Sequence, residues 1–325
     1  MELMLDIKMN SPEKKISYTH NILLIGSCFS EEIGNRMKEL KFSVLQNPNG
    51  ILYDPLSISN SLLSYINNKQ YANDELFYLH ELWHSWQHHS VFSGIDKDEV
   101  LQKINNAQTT AHEFLRKANW LIITLGSSYS YQLISSGHVV ANCHKAPADY
   151  FKKSLIKTQG IIEILSYVIQ ELQTFNPELN IIFTISPVRH IRDGIVENNL
   201  SKARLIEAVY ELTTHFHNAT YFPAYELTID VLRDYRFYEA DMVHPTPMAI
   251  EYIFNKFSET YFAKKDQLIT KEIKKIIAAK NHRPFHAGTD AHVIFKYAQL
   301  KKVKELQALY TYINFNDEIT YFTQD

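Results

Sequence analysis

Residues 21–29 read Asn21-Ile22-Leu23-Leu24-Ile25-Gly26-Ser27-Cys28-Phe29, and the fold turns on this stretch. Four consecutive large apolar residues between an asparagine and a glycine make the run expected of a strand covered on both faces. Immediately beyond it, Phe29, Ile33, Met37 and Leu40 recur at helical spacing. Strand, glycine turn and helix together open a βαβ unit. Working outward, 120–125 (WLIITL) and 181–185 (IIFTI) repeat the apolar run, with 42–45 and 220–222 as shorter candidates. Helices are expected over about 96–117, where Asp96 is a natural N-cap, over 201–216, and over 247–262 with Pro247 in the first turn. This alternation predicts a three-layer α/β/α, flavodoxin-like core of about five parallel strands.

The chain has 325 residues, enough for one large domain. Residues 1–263 are expected to form the core. From 264 onward lysine-rich amphipathic segments flank a loop at 282–288 without a clear strand, which predicts a helical C-terminal appendage over 264–325 packed on the core. The connection from 54 to 96 is long for a βα unit and is expected to hold helices that wall one side of a site.

A net charge of −3 gives no electrostatic case for binding nucleic acid or an anionic membrane. No apolar run approaches a membrane span, and residues 1–10 lack the pattern of a secretory leader. With only Cys28 and Cys143, no disulfide framework is expected and the cytoplasm is the default compartment. Neither a phosphate-binding nor a dinucleotide glycine motif occurs, and no cofactor is expected.

In an open parallel sheet, ligands bind beyond the carboxyl ends of the strands where the strand order reverses. Ser27 and Cys28 follow the first strand and stand at a helix start, where free N–H groups favour an anion. A nucleophile there has an oxyanion site at hand, and a thiol is expected to have a lowered pKa. A helix cap beside an ordinary buried cysteine explains the same letters equally well. The balance shifts with Asp241-Met242-Val243-His244-Pro245, after the last strand. An Asp three residues before a His can hold that ring's Nδ1 and leave Nε2 as a base. First and last strands then bring both elements to one sheet edge.

Gly26-Ser27-Cys28-Phe29-Ser30 resembles the signature of the GSCFA-domain proteins, a branch of the SGNH (GDSL-like) hydrolase superfamily. Further stretches are similar to that family's blocks: Asn47-Pro48-Asn49-Gly50-Ile51-Leu52-Tyr53, Thr124-Leu125-Gly126, Ala141-Asn142-Cys143-His144-Lys145, Ser186-Pro187-Val188-Arg189-His190, and Asp234-Tyr235-Arg236-Phe237-Tyr238 leading to Asp241 and His244. The resemblance runs in order over about 20–262. It implies hydrolysis of a carboxylic ester on a small molecule or carbohydrate, with Cys28 or Ser27 as nucleophile, His244 as base and Asp241 as its orienter. The superfamily's serine falls at Cys28 in the direct register, and a shift of one gives Ser27. By the same resemblance, the backbone N–H of Gly50 completes an oxyanion hole. Gly126 opens the block where the superfamily has G-x-N-D; here Ser128 stands in the asparagine's place, and Asn142 is the substitute amide.

Other constellations compete. His80-Glu81-Leu82-Trp83-His84 matches H-E-x-x-H, two zinc ligands and a base on one helix, although an aromatic helix at the rim explains it as well. Arg189 and His190 follow the fourth strand and can bind an anionic or sugar group, or form a solvated loop. Acyl transfer on the same site, and a non-catalytic binding protein of the same fold, remain alternatives.

Overall fold

The computed structural model describes residues 5–286 and 288–323. Its centre is a five-stranded parallel sheet of β1 (Asn21–Gly26), β2 (Ser43–Gln46), β5 (Trp120–Leu125), β9 (Asn180–Ile185) and β10 (Ala219–Phe222), in the order β10-β9-β5-β1-β2. Counted as five core strands this is 2-1-3-4-5, the flavodoxin-like order, with its reversal between β1 and β5.

The apolar runs become strands because both faces of the sheet are covered. Along β1, Ile22 and Leu24 enter one core cluster while Leu23 and Ile25 enter the other. β5 divides likewise, Trp120 and Ile122 against Leu121, Ile123 and Leu125. The first cluster is completed by α1 (Cys28–Glu39) and α7 (Pro247–Tyr261), and the second by α2 (Pro55–Ile66), α3 (Lys97–Arg116), α4 (Thr158–Phe175) and α5 (Ile195–His215). Truncating a fully buried member such as Leu23 to alanine is expected to cost about 2–5 kcal/mol.

The helices α8 (Lys264–Asn281), α9 (Asp290–Leu309) and α10 (Asn316–Thr323) close over the α1–α7 side. Ile269, Ile273, Ile276, Val303, Phe315 and Phe322 share the cluster of Phe29, Ile33 and Phe42. An ion pair from Lys41 to the buried Glu318, at 2.8 Å, fastens α10 to the end of α1.

Two stretches differ from expectation. The connection after β2 contains α2, capped by Asp54, but then forms a hairpin of β3 (Leu76–Leu79) and β4 (Leu82–Ser85). His80 and Glu81 are its turn, both at positive φ (48° and 64°), so the H-E-x-x-H string lies on no helix. Between β5 and α4 the chain adds an antiparallel sheet of β6 (Tyr129–Leu133), β7 (Val139–Val140) and β8 (Phe151–Leu155). The helix expected over 201–216 also begins earlier, at Ile195, directly after Gly194 at φ 104°. No helix among the described residues is long and apolar enough to cross a membrane.

Candidate active site

The loops leaving the carboxyl ends of the central strands converge beside the reversal point. After β1 the chain turns at Gly26 (φ +135°), where any Cβ would run into the Thr124 carbonyl of β5. Its N–H donates to Asn47 Oδ1 at 2.9 Å, which ties this turn to the loop after β2. That sharp turn puts Ser27 at the N-cap of α1 and Cys28 at its first position.

The two candidate nucleophiles differ in surroundings. Ser27 is buried, and its Oγ accepts the Phe29 N–H at 3.3 Å, the ordinary work of an N-cap. Cys28 is partly exposed and free of disulfide. Burial pushes its thiol up from the usual range. The backbone N–H groups of Phe29 and Cys28 and the Lys202 charge pull the other way, while Glu31 adds to the rise. The lowered pKa expected from the helix terminus is therefore overturned: desolvation outweighs the N–H cradle. Tyr53 also senses this thiol and Glu31, and burial holds its own pKa high.

At the other end of the site, Asp241 and His244 share a tight loop. Asp241 Oδ1 accepts the N–H groups of Val243 and His244 at 2.9 and 3.0 Å, and Oδ2 meets His244 Nδ1 at 2.6 Å. Those donors hold the Asp241 carboxyl down at about 2. Met242 takes φ +59° at the tip, and the ladder between Tyr238 and Pro245 with the Glu239 N–H to His244 carbonyl bond (2.8 Å) closes the base. Both side chains are half exposed. Among the described residues no hydrogen bond joins His244 to Cys28 or Ser27.

A chain of neighbours nevertheless connects the two ends. Lys202 of α5 acts on Cys28 and lies 5.8 Å from the Tyr225 ring. Tyr225 feels Arg189 and Tyr238, and Arg189 sits 5.2 Å over the Tyr238 ring at the foot of the His244 loop. Tyr225 belongs to the short α6 (Ala224–Glu226) that follows β10.

His190 lies between these groups. Its Nδ1 is 3.7 Å from Asp193, its ring stands edge-on to Tyr129, and its Nε2 is buried without a partner. Burial, then the Lys202 charge, lowers its pKa to about 4, against the pull of Asp193.

The oxyanion candidates fare unevenly. The Gly50 N–H, at φ +79°, donates to the Asn47 carbonyl at 2.7 Å and so is spent on its own turn. The Gly126 N–H donates to the Tyr53 carbonyl at 2.8 Å, and its carbonyl accepts from Lys202. Asn142 Oδ1 accepts the His144 N–H at 2.9 Å. The Cys28 N–H is bonded to no oxygen among the described residues, which leaves it as the clearest donor.

The zinc reading is corrected here. His84 has both nitrogens engaged, Nδ1 with Ser93 Oγ at 2.7 Å and Nε2 with the Leu79 carbonyl at 2.9 Å. Among the described residues no group of histidines, cysteines and carboxylates is arranged to hold a metal. Sequence reasoning missed Lys202, Tyr53 and Tyr225. Only Tyr53 carried a signal, as the last letter of the block containing Gly50.

The fold defines an open α/β protein whose candidate residues lie in loops that follow the central strands. The chain belongs to the GSCFA family: it matches that family over residues 21–257, and the GSCFA domain protein C-terminal domain over 273–325. A search of the curated proteins finds no match. Among solved structures it is similar to an acetyl xylan esterase from the rumen bacterium Butyrivibrio proteoclasticus, at 11% identity and a TM-score of 0.39. That alignment covers 75% of this chain and 64% of the esterase, so the chain spans less than two thirds of that protein. The likeness is too distant to bear on the chemistry.

Proposed function

We propose that the chain is a hydrolase of carboxylic esters in the SGNH manner, acting on an O-acyl group of a carbohydrate or another small ester. The observation that carries this reading is the Asp241–His244 pair, fixed by three hydrogen bonds in a loop that follows the last central strand as Cys28 follows the first. With Nδ1–H held by a carboxylate, Nε2 is the basic nitrogen.

In this scheme Cys28 Sγ attacks the ester carbonyl and passes its proton to His244 Nε2. The N–H of Cys28 stabilises the oxyanion; a second donor from Gly50 requires a local change in its turn, whereas the Asn142 side-chain amide N–H group takes part in none of the bonds described above. As the tetrahedral species collapses, the C–O bond breaks and His244 protonates the departing alkoxide. Water, deprotonated by the same ring, then hydrolyses the thioester. The scheme requires His244 Nε2 to stand within hydrogen-bond reach of Sγ once the ester is bound. Cys28 is preferred to Ser27 because it is the accessible member of the two, and the Ser27 hydroxyl is occupied as a cap. Arg189 and His190 line the substrate side. Solvent access to the half-exposed loop favours water as acceptor, and a sugar hydroxyl in its place would make the same site an acyltransferase.

Turnover of short-chain p-nitrophenyl esters by wild type, Cys28→Ala, Ser27→Ala and His244→Ala tests the scheme. Activity lost in Cys28→Ala and His244→Ala but kept in Ser27→Ala is the expected pattern. Full activity without His244 rejects it, and loss in Ser27→Ala with survival of Cys28→Ala moves the nucleophile to the hydroxyl.

A further inference from the structure

Lys202 is an unusual residue for the middle of a surface helix. It is 1% exposed, and its ammonium donates to the carbonyls of Gly126 and Ser186, both at 2.7 Å. Those carbonyls stand just past the ends of β5 and β9. The side chain therefore crosses from α5 to clamp the sheet edge that carries the site. Among the described residues no carboxylate pairs with it. The same end of β5 holds the candidate nucleophile: the Ser27 N–H donates to the Thr124 carbonyl at 3.1 Å, two residues before Gly126, so Cys28 of α1 is a neighbour of Lys202, as are His190 from the loop after β9 and Tyr225 from α6. Cys28 in turn faces Lys202, Glu31 and Tyr53.

A buried lysine without a counter-ion is costly, and a neutral hydrocarbon side chain would fill that space more cheaply. We propose that Lys202 is a positioning residue that supplies the buried counter-charge for the Cys28 thiolate, so that the two side chains share one proton. This deepens the esterase reading, since it rests on Cys28 as the nucleophile. In the free protein the exchange is balanced: the S–H bond of Cys28 breaks, the amine of Lys202 gains an N–H bond through solvent, and the pair stays electrically neutral; during turnover that proton passes on to His244, which delivers it to the alkoxide.

Burial brings the Lys202 ammonium down to about 7 and pushes the Cys28 thiol up, so the amine loses its proton before the thiol does. The sum of the two sets an unusual profile. Below the lysine's titration, thiolate beside an ammonium increases tenfold per pH unit, as for any thiol. Above it, thiol with amine and thiolate with ammonium hold the same number of protons, and their ratio stops depending on pH. His190 is neutral throughout this window, and burial keeps Tyr53 and Tyr225 protonated, so none of them mimics the step.

The test is the iodoacetamide alkylation rate of Cys28 from pH 5.5 to 9.5 in the full chain carrying Cys143→Ser, followed by peptide mass spectrometry. Wild-type Cys28 is expected to rise to about pH 7, flatten, and rise again once the thiol ionises beside a neutral amine. In Lys202→Met the flat region disappears, and the rate at pH 6 falls by about threefold or more, half a pKa unit or greater. Lys202→Gln keeps a hydrogen-bond donor for the carbonyls without the charge, and it should behave like Lys202→Met. A single unbroken rise in wild type overturns the proposal, even if neither variant folds. Superimposable profiles in wild type and folded Lys202→Met do the same. Because alkylation needs no ester turnover, the outcome separates this proposal from the esterase reading.

Discussion

Among the described residues two Asp/His pairs stand at three-residue spacing in loops that follow the last two central strands, and they are built for opposite ends. Asp241 gives His244 a 2.6 Å contact and is itself held by two backbone N–H groups, with both side chains half exposed. Asp193 stands 3.7 Å from His190, both side chains only 24% exposed, and is committed to an ion pair with Lys153. Burial explains most of the contrast, and charge adds to it. His190 is desolvated and faces Lys202 and Lys153, which brings it down to about 4, whereas His244 is half exposed and its ion-pair partner among the described residues is a carboxylate. Proximity of a carboxylate to a histidine is thus not enough to make a base. The carboxylate must be free of other cations, and the ring must be able to take charge without losing its solvent.

The sharpest way to break this comparison is to remove each ring. His244→Ala is expected to lower ester kcat by about a thousandfold, within the range assigned to general acid–base groups. His190→Ala should cost less than about tenfold, mostly in KM, because a neutral ring only lines the substrate side. A reversed ranking would transfer the base to His190, whose buried and unpartnered Nε2 is the feature that would then matter. Asp241→Asn sharpens the contrast: it keeps the loop's shape, lets the ring choose the wrong tautomer, and is expected to lower kcat about a hundredfold with KM little changed. Asp193→Asn should leave kcat within about threefold, since the carboxylate orients no base.

A smaller effect concerns stability. Burial lowers His88 to about 3 and His144 to about 4, and His190 moves the same way. For a depressed histidine the unfolded chain binds more protons below about pH 6.5, so its contribution is intact above that value and is lost as pH falls toward 3–4. Asp54, raised to about 6 by burial, acts oppositely: it favours the folded state below 3.8 and loses that contribution as pH rises through 6. Three groups outweigh one, and the midpoint of thermal unfolding is expected to fall by several degrees between pH 7 and pH 5. A rising midpoint over that interval would show that Asp54 dominates.

How much of this was legible in the sequence depends on what each residue needed. Strands β1, β5 and β9 announced themselves because both of their faces are buried, which leaves unbroken apolar runs. The antiparallel sheet over 129–155 did not, because β8 reads Phe-Lys-Lys-Ser-Leu and has no fully buried residue, so it leaves no apolar run. The β3–β4 hairpin was masked for a related reason: its turn places His80 and Glu81 at positive φ, where asparagine and glycine are the usual signal. Without that signal, the histidine spacing suggested a helix. That Cys28 follows the first central strand, and Asp241 and His244 the last, was readable from the succession of apolar runs. Lys202 was not, because a lysine within a helical pattern is normally a solvated side chain. Its burial depends on two carbonyls, 76 and 16 residues away in the chain, meeting at one point.

The central claim is that Cys28 and His244 act in one reaction although no hydrogen bond joins them in the free protein. Mass spectrometry of Cys143→Ser protein mixed with p-nitrophenyl acetate tests it most directly, with and without the further change His244→Ala. The account predicts an acetyl thioester on the Cys28 peptide that forms slowly and persists when His244 is absent, and that turns over rapidly when it is present. An acetyl group on Ser27, no adduct at either residue, or equal lifetimes with and without His244 would contradict it.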